Sequence, residues 1–228
     1  SLSISNSSIL SLSDGQYAFK GLEDRLTTFK VKNCTYASHW EWTQLEKLKN
    51  LQVLEISQSN MLEIADDFLD FTSKWPLTTI NFRENNIKHM PQKAFSRFKF
   101  LKRLFLDKNS LMSVERSLLP KPADYLASLG LSENGIRELP VDMFSEMPSL
   151  TYLYLGGNPI MVLDAQTFQP VWDQLKIVIL SDILHCDCRM SWMPRMEPKF
   201  RLVKATCNTP SKLRGRNPAD MKTADLEC

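Results

Sequence analysis

Four stretches of the chain repeat one spacing of apolar residues and asparagine. Each follows L-x-x-L-x-L-x-x-N-x-[LI]-x-x-[LMV], with some exchange among apolar residues, and carries another apolar residue about 18 places after its first leucine. The stretches begin at Leu77, Leu101, Leu126 and Leu150, at intervals of 24, 25 and 24 residues. A fixed period of this length is typical of proteins built from stacked structural repeats, and neither a regular helix nor a regular strand would keep it.

The spacing within one repeat predicts how each turn is built. In LTTINFREN, Ile80 and Phe82 point to one side of a short strand, and the residues between and around them point to the other. A buried asparagine can both donate to and accept from the backbone of neighbouring turns. The asparagines expected to stack along the interior are Asn85, Asn109, Asn134 and Asn158. Successive turns should therefore share one continuous core.

Weaker copies of the pattern begin at Leu26, Leu51 and Leu175, and residues 2–12 fit it from its fourth position onward. The pattern resembles the extracellular leucine-rich repeat in its typical form of about 24 residues. This resemblance implies an α/β solenoid, with a curved parallel β-sheet on the concave face and an irregular or short-helical convex face. We expect about eight turns over residues 1–184, the first of them incomplete, so that the sequence begins inside a repeat.

The segment 185–228 differs in character from the repeats. Its distinctive residues are Cys186, Cys188, Cys207, Cys228, Trp192 and the TPSKLRG stretch at 209–215. This combination looks like the disulfide-bonded C-terminal cysteine cap of secreted and cell-surface leucine-rich repeat proteins. Four cysteines permit three pairings, and the resemblance implies Cys186–Cys207 and Cys188–Cys228. A zinc site is the alternative, because C-x-C can also ligate metal, although the segment has no second close pair.

The fifth cysteine, Cys34, takes the asparagine place of its repeat. We favour a buried free thiol, and a reactive or intermolecular thiol is the alternative. The triplets that begin at Asn6 and Asn33 match the N-glycosylation acceptor pattern, which makes both asparagines candidate glycosylation sites. Because a disulfide cap suits an oxidising compartment, we expect an extracellular protein, either secreted or the ectodomain of a cell-surface protein.

Charge and motifs argue against several functions. The formal net charge of +2 lacks the basic excess typical of nucleic-acid-binding proteins. No apolar run reaches the roughly 20 residues that a membrane-spanning helix needs. The three histidines, His39, His89 and His185, fall in different repeats or in the cap, and no set of residues has the pattern of a catalytic site. We therefore expect no enzymatic activity, no cofactor and no metal.

The outward positions of the predicted strands define a candidate binding surface. Its N-terminal half is polar, whereas its C-terminal half carries aromatic and aliphatic side chains. Exposed aromatic residues and arginines are enriched at binding hot spots, and clustered apolar groups often mark an interface. The candidate partner-binding residues are Arg83, Arg103, Phe105, Gly130, Tyr152, Tyr154 and Ile179. Gly130 predicts a hollow with Phe105 and Tyr154 as its walls. Alternatively, the cap or an adjacent loop covers Ile177 and Ile179, and the two tyrosines have no binding role.

The function predicted from these features is recognition of a protein partner through the concave sheet, by a receptor ectodomain or a secreted binding protein. An alternative is a non-catalytic subunit of a secreted enzyme complex. GLEDRLTTFKVKNC at 21–34 and the irregular links between repeats are similar to arthropod leucine-rich repeat proteins, some of which are non-catalytic partners of a shrimp luciferase. A protein ligand, a partner subunit or a second copy of the chain, as in a homodimer, would each fit such a face.

Overall fold

The computed structural model describes residues 1–12, 19–36, 40, 42–71, 75–195 and 202–228. Within them the chain coils so that successive turns each add one strand to a nine-stranded parallel sheet. Its strands, in spatial order, are β1 (Leu2–Ser5), β3 (Thr28–Lys32), β5 (Val53–Ser57), β6 (Thr79–Asn81), β7 (Arg103–Phe105), β8 (Ser128–Gly130), β9 (Tyr152–Tyr154), β10 (Ile177–Ile179) and β12 (Leu202–Lys204).

The remaining elements are short. Two further parallel pairs are β2 (Ser8–Ile9) with β4 (Thr35–Tyr36) and β11 (Leu184–His185) with β13 (Cys207–Thr209). The α-helices among the described residues are α1 (Phe68–Phe71) and α2 (Ala165–Phe168). Single 3-10 turns occur at Trp42–Leu45, Arg116–Leu118, Trp172–Gln174, Cys188–Met190, Met193–Arg195, Ser211–Leu213, Pro218–Asp220 and Thr223–Asp225. The chain is thus an α/β solenoid whose return segments are irregular or briefly helical, as predicted.

The inward positions of the strands share one interior. Ile80 pairs in register with Leu104, Leu104 with Leu129 and Leu129 with Leu153, and these side chains are 0–1% exposed. Complete burial of such a side chain stabilises a fold by about 1.5–3 kcal/mol relative to leaving it in water. The predicted register is confirmed, so the residues on either side of these positions face outward.

The predicted asparagine ladder is present. Nδ2 of Asn109 donates to the carbonyl oxygens of Phe82 in the preceding turn (2.9 Å) and Leu106 in its own turn (2.9 Å), and Oδ1 accepts from the N–H of Ile87 (3.0 Å). The equivalent bonds are made by Asn85, Asn134 and Asn158. These side chains satisfy backbone groups that leave the strand pairing inside the core, where an unpaired polar group is costly.

The residue before each asparagine position has a left-handed backbone. Glycine fills this place only at Gly157 (φ 72°), and other turns have φ values of 51–55° at Asn6, Asn33, Gln58, Glu84, Lys108 and Glu133. The left-handed conformation turns the chain away from the sheet where each strand ends. We call the line of these side chains the exit rim. In the turns without glycine, a residue with a side chain adopts this less favourable conformation. The sequence therefore does not indicate where the left-handed residues lie.

Cys34 lies at the N-terminal end of the same ladder. Its side chain is 3% exposed, and its Sγ lies 3.4 Å from the carbonyl oxygen of Lys32. Its N–H donates to Oγ of Ser59, the next residue of the ladder (3.3 Å). The cysteine is free and buried, in agreement with the interpretation favoured from the sequence.

The C-terminal segment closes the core and continues the sheet. Disulfides join Cys186 to Cys207 and Cys188 to Cys228, the pairs that the resemblance implies. Trp192 covers the end of the repeats, with its ring 5.9 Å from that of Phe168 and 4.8 Å from that of Trp172. These contacts seal the apolar interior, which would otherwise be open after the last turn.

Strand β12 belongs to this cap and yet pairs in parallel with β10, with Ile177 opposite Leu202 and Ile179 opposite Lys204. The predicted division at residue 184 therefore separates two parts that share one sheet. The reason is spacing, since β12 lies 25 residues after β10, which is one repeat length. Within the described part of the chain, no helix is long and apolar enough to span a bilayer.

Candidate binding face

The concave face is the solvent side of the nine-stranded sheet, and three rows of side chains cover it. The first row is Ser1, Thr28, Val53, Thr79, Arg103, Ser128, Tyr152, Ile177 and Leu202. The second is Ser3, Lys30, Glu55, Asn81, Phe105, Gly130, Tyr154, Ile179 and Lys204. The third is Ser5, Lys32, Ser57, Arg83, Asp107, Ser132, Gly156, Ser181 and Thr206. Strand pairing places the members of the first two rows side by side.

The C-terminal half of this face carries an apolar group that we call the apolar patch. Its members are Phe105, Tyr152, Tyr154, Ile177, Ile179 and Leu202. All are half-buried except Leu202, which is 48% exposed. Within the described residues, the hydroxyls of Tyr152 and Tyr154 have no hydrogen-bond partner. The cap thus extends the patch by one strand and leaves Ile177 and Ile179 partly accessible, contrary to the alternative in which it covers them.

Gly130 does not form the predicted hollow. A Cβ atom on Gly130 would lie 2.2 Å from Oδ2 of Asp107, so the carboxylate of Asp107 already fills this space. That carboxylate accepts from Nε of Arg83 (2.6 Å) and from the N–H of Ser132 (3.1 Å). The prediction of an open space was wrong, because the side chain from the neighbouring turn lies across the glycine. Gly130 is buried, and the pair of Asp107 and Arg83 lies over it.

Arg83 is held by two contacts. Besides its bond to Asp107, its guanidinium carbon lies 3.8 Å from the centre of the Phe105 ring. A cation over an aromatic face is attracted by the electron density of the ring, by about 0.5–1 kcal/mol at an exposed site. Arg83 and Phe105 thus form one rigid edge of the apolar patch, which reduces the side-chain entropy that a partner would have to remove on binding.

Arg103 is the more available of the two predicted arginines. Its side chain is exposed, and its Nε donates to Oγ1 of Thr79 (3.1 Å). The two terminal nitrogens of the guanidinium have no partner in the part of the chain described. A guanidinium fixed at one nitrogen can present the other two to a carboxylate in a defined orientation.

The N-terminal half of the face is polar and internally paired. Nζ of Lys30 lies 3.4 Å from Glu55, and Oγ of Ser57 donates to the same carboxylate (3.2 Å). The two candidate glycosylation residues lie on the exit rim beside this half, where Nδ2 of Asn33 donates to Oδ1 of Asn6 (2.7 Å). Both asparagines are exposed. The polar end and the apolar patch are thus separate regions of one sheet.

Two residues of the face, and the role of a third, were missed from the sequence. Leu202 and Lys204 were assigned to the cap, although their spacing of 25 residues from Ile177 and Ile179 is a repeat length and could have identified them. Asp107 was placed on the face without a role. No sequence signal shows that its side chain would lie over Gly130 in the next turn.

A polar cluster lies on the cap. Nδ1 of His185 lies 2.6 Å from Oγ1 of Thr209, and its Nε2 lies 3.3 Å from Asp187. Nε of Arg189 donates to both oxygens of Asp187 (2.9 and 3.0 Å), and these bonds are the main cause that lowers the pKa of this carboxyl below its ordinary 3.8. Arg189 neutralises Asp187, so His185 has no free carboxylate behind it to help activate the Thr209 hydroxyl as a nucleophile. The cluster therefore serves to fix the start of the cap.

Asp187, Cys188 and Cys228 also lie close enough together to share an ion. The two sulfurs form a disulfide, however, and a disulfide sulfur is not the thiolate that zinc requires. The arrangement favours the disulfide interpretation of the C-x-C pair over the zinc alternative. The exposed His89 lies in a return segment, and His39 lies outside the described residues.

Comparison with known proteins agrees with this architecture. Residues 124–171 match the family model described as Leucine rich repeat. No curated protein matches the sequence. A chain from the octameric complex of Latrophilin 3, Unc5D and FLRT2, in which FLRT2 is the LRR component, superimposes with a TM-score of 0.72 and 18% identity over 96% of this chain and 73% of that chain.

The Leptospira interrogans LRR protein LIC12759 superimposes with a TM-score of 0.68 and 17% identity, over 88% of this chain and 47% of that chain. The present chain thus corresponds to about half the length of the Leptospira protein. At these identities the likeness is one of fold. The chain is therefore a leucine-rich repeat solenoid with a disulfide-bonded C-terminal cap, and its residues 124–171 carry the repeats that the family model matches.

Proposed function

We propose that this chain is an extracellular binding module that recognises a protein partner through the apolar patch on its concave face. The observation that carries the proposal is the patch itself. Its aromatic and aliphatic side chains lie on the solvent side of the sheet, on strands fixed by their neighbours on both sides or, at β12, by the cap. Clustered apolar groups in contact with water are typical of interaction surfaces.

The patch also has the composition of a binding hot spot. Tyrosine and arginine are enriched at such sites because each offers a large contact area and a polar group. The Tyr152 and Tyr154 hydroxyls and the terminal nitrogens of Arg103 lack partners in the described residues, so a bound protein can supply them. Arg83 and Phe105 are already ordered by their mutual contact.

Catalysis is not part of the proposal. The His185 cluster has its carboxylate occupied by Arg189, and the polar groups of the concave face are paired with one another or placed singly. A role as the non-catalytic subunit of a secreted enzyme complex would use the same patch. A homodimer could also form through the same patch. Light scattering of the purified chain measures whether it does.

An extracellular location is supported by the two disulfides, which persist in oxidising compartments. We propose that Asn6, Asn33 or both carry an N-linked glycan. Treatment of the secreted protein with a glycan-removing amidase should lower its mass, and the Asn6→Gln and Asn33→Gln variants assign the site. Because the two residues lie beside the polar half, glycan removal should leave binding at the apolar patch unchanged.

The binding proposal is tested by differential capture from the native fluid. Wild-type protein and the Tyr154→Ala and Val53→Ala variants are immobilised at equal density, and retained proteins are quantified by mass spectrometry. Val53 is the matched control, since it is an outward apolar residue of the polar half. The partner should be retained by wild type and Val53→Ala and lost, by about tenfold or more, with Tyr154→Ala.

Unfolding temperatures of the three proteins should be nearly equal, because Tyr154 faces solvent. A Tyr154→Ala variant that unfolds would place this side chain in the core. Retention of the same proteins at the same level by wild type and Tyr154→Ala would refute the patch as the binding site.

A further inference from the structure

The charges of the concave face are unbalanced. The cations in its three rows are Lys30, Lys32, Arg83, Arg103 and Lys204, and the carboxylates are Glu55 and Asp107. Both carboxylates are paired within the face, Glu55 with Lys30 at 3.4 Å and Asp107 with Arg83 at 2.6 Å. Every negative charge among the described residues of the face is therefore neutralised at short range.

Three cations have no such partner. Lys32, Arg103 and Lys204 form no ion pair with the described part of the chain, and all belong to the concave face. The face carries this excess although the whole chain has a formal net charge of only +2. Two of the three, Arg103 and Lys204, border the apolar patch. Complementary charge across an interface sets the rate and the specificity of association.

The row that contains Arg103 offers a defined place for an anion. Arg103, Ser128 and Tyr152 lie side by side on β7, β8 and β9. Adjacent strands are about 4.8 Å apart, so the arginine and the tyrosine stand about 10 Å apart with a short serine between them. Nε of Arg103 is held by Thr79 of β6, and a carboxylate at Arg103 would accept from the two terminal guanidinium nitrogens, which have no partner among the described residues. Such charge-assisted bonds are roughly twice as strong as neutral ones.

The neighbouring row offers the apolar half of the same site. Tyr154 and Ile179 lie side by side in the second row, next to Tyr152 and Ile177 of the first row. The exit rim beyond the third row carries Glu84, Lys108 and Glu133, whose charges alternate and give no clear preference for an anion. Because the unpaired Arg103 belongs to the first row, the anion of a partner is favoured there and its apolar group over the second row.

Building on the proposed function, we propose that the partner presents an acidic residue next to an apolar one. The carboxylate contacts the terminal nitrogens of Arg103, and the apolar side chain lies on Tyr154 and Ile179. The partner is thus a protein segment with an Asp or Glu beside an aromatic or aliphatic residue. Phosphate groups of nucleic acids or lipids would supply charge but no side chain to fill the apolar half.

The test is selection from a random-peptide library displayed on phage, with the wild-type chain as bait. The selected peptides should be enriched in Asp or Glu within two places of an aromatic or aliphatic residue. Selection on the Arg103→Glu variant should reverse the charge preference to Lys or Arg. The Lys32→Glu variant makes the same charge change at the polar end and should keep the wild-type preference.

Affinities of one selected peptide then measure the contact. Arg103→Gln should weaken binding about tenfold, the effect expected for loss of one charge-assisted hydrogen bond. Wild-type affinity should fall as salt rises, and the Arg103→Gln variant should depend less on salt. Enrichment of neutral or basic peptides by the wild type, or an unchanged affinity in Arg103→Gln, would overturn the acidic partner.

Failure of this inference can be told apart from failure of the proposed function. Loss of peptide binding in Tyr154→Ala, together with no effect of Arg103→Gln, would leave the patch as the binding site and remove its acidic preference. A peptide affinity that is unchanged in both variants would refute both the patch as the binding site and its preference for acidic residues. Single-stranded DNA and vesicles containing phosphatidylserine complete the test, and tighter binding of either than of the peptide would replace the protein partner with that anion.

Discussion

The carboxylate of Asp107 lies over Gly130 of the next turn, where a Cβ atom would approach its Oδ2 to 2.2 Å. The same carboxylate bonds to Arg83 in the preceding turn and to the N–H of Ser132. A single side chain thus links three consecutive turns across the concave face. The absence of a side chain at Gly130 is what allows the contact.

Gly130→Ala is expected to destabilise the protein. The new methyl group would displace the Asp107 carboxylate and break its bonds, at a cost of about 1–3 kcal/mol. Chemical denaturation of the purified variants measures the change in free energy of unfolding. The control is a double-mutant cycle, since in an Asp107→Ala background the methyl group meets no carboxylate and should cost much less. Equal costs in both backgrounds would show that Asp107 does not occupy this space.

Asn109→Ala should be among the more damaging single substitutions. It removes two donors and one acceptor, and it leaves the carbonyl oxygens of Phe82 and Leu106 and the N–H of Ile87 without these partners in the core. We expect a loss of about 2–4 kcal/mol in the free energy of unfolding. Chemical denaturation of the variant, compared with wild type, measures this loss.

The matched control for Asn109 is Asn86→Ala. Asn86 is also an asparagine in a return segment, but it is exposed, and among the described contacts its side chain bonds only to the side chain of Asn60. Its loss should cost less than about 0.5 kcal/mol. Similar losses for both variants would mean that the buried ladder contributes little to stability.

The two disulfides should be reduced in a fixed order. Cys186 and Cys207 are 0–1% exposed, whereas Cys188 is half-buried and Cys228 is exposed. Because a thiolate must reach the sulfur it attacks, mild reductant should open Cys188–Cys228 first. Alkylation followed by mass spectrometry of peptides measures the order. In denaturant the difference should vanish, and native protein that loses Cys186–Cys207 first would contradict the described burial.

The cap should lose part of its stability in acid. Bonds from Arg189 lower the pKa of Asp187 in the folded protein below its ordinary 3.8. The unfolded chain therefore binds this proton more readily, so the carboxylate stabilises the fold above pH ~4, and this contribution disappears as the pH falls through the lowered pKa. Thermal unfolding of wild type and Asp187→Asn from pH 7 to 2 measures it.

The difference in unfolding temperature between wild type and Asp187→Asn should be constant near neutral pH and shrink below pH ~4. Asp182→Asn is the control, since Asp182 is an exposed carboxylate with no ion pair in the described structure. A gap between wild type and Asp187→Asn that stays constant into acid would show that Asp187 is not held by Arg189 in solution.

The repeat interval by itself determined the solenoid, the strand register and the asparagine ladder. The reason is that each turn buries its apolar side chains and bonds its backbone with residues at fixed spacing. Stacked turns need the same arrangement, so the spacing recurs along the sequence. The pairs of cap cysteines followed from resemblance. The set of partner-binding residues stays a prediction. Within it Gly130 is buried, and the residues on the accessible face are Arg83, Arg103, Phe105, Tyr152, Tyr154 and Ile179.

Only the tertiary structure decided what happens between turns. It placed Asp107 over Gly130, paired both carboxylates of the face with cations, and added Leu202 and Lys204 to the sheet from within the cap. These contacts join side chains about one turn apart in sequence, and their directions depend on the shapes of both neighbours. The pattern within one repeat carries no information about these directions. The unpaired charge of the concave face depends on them, because they decide which cations are paired with a carboxylate.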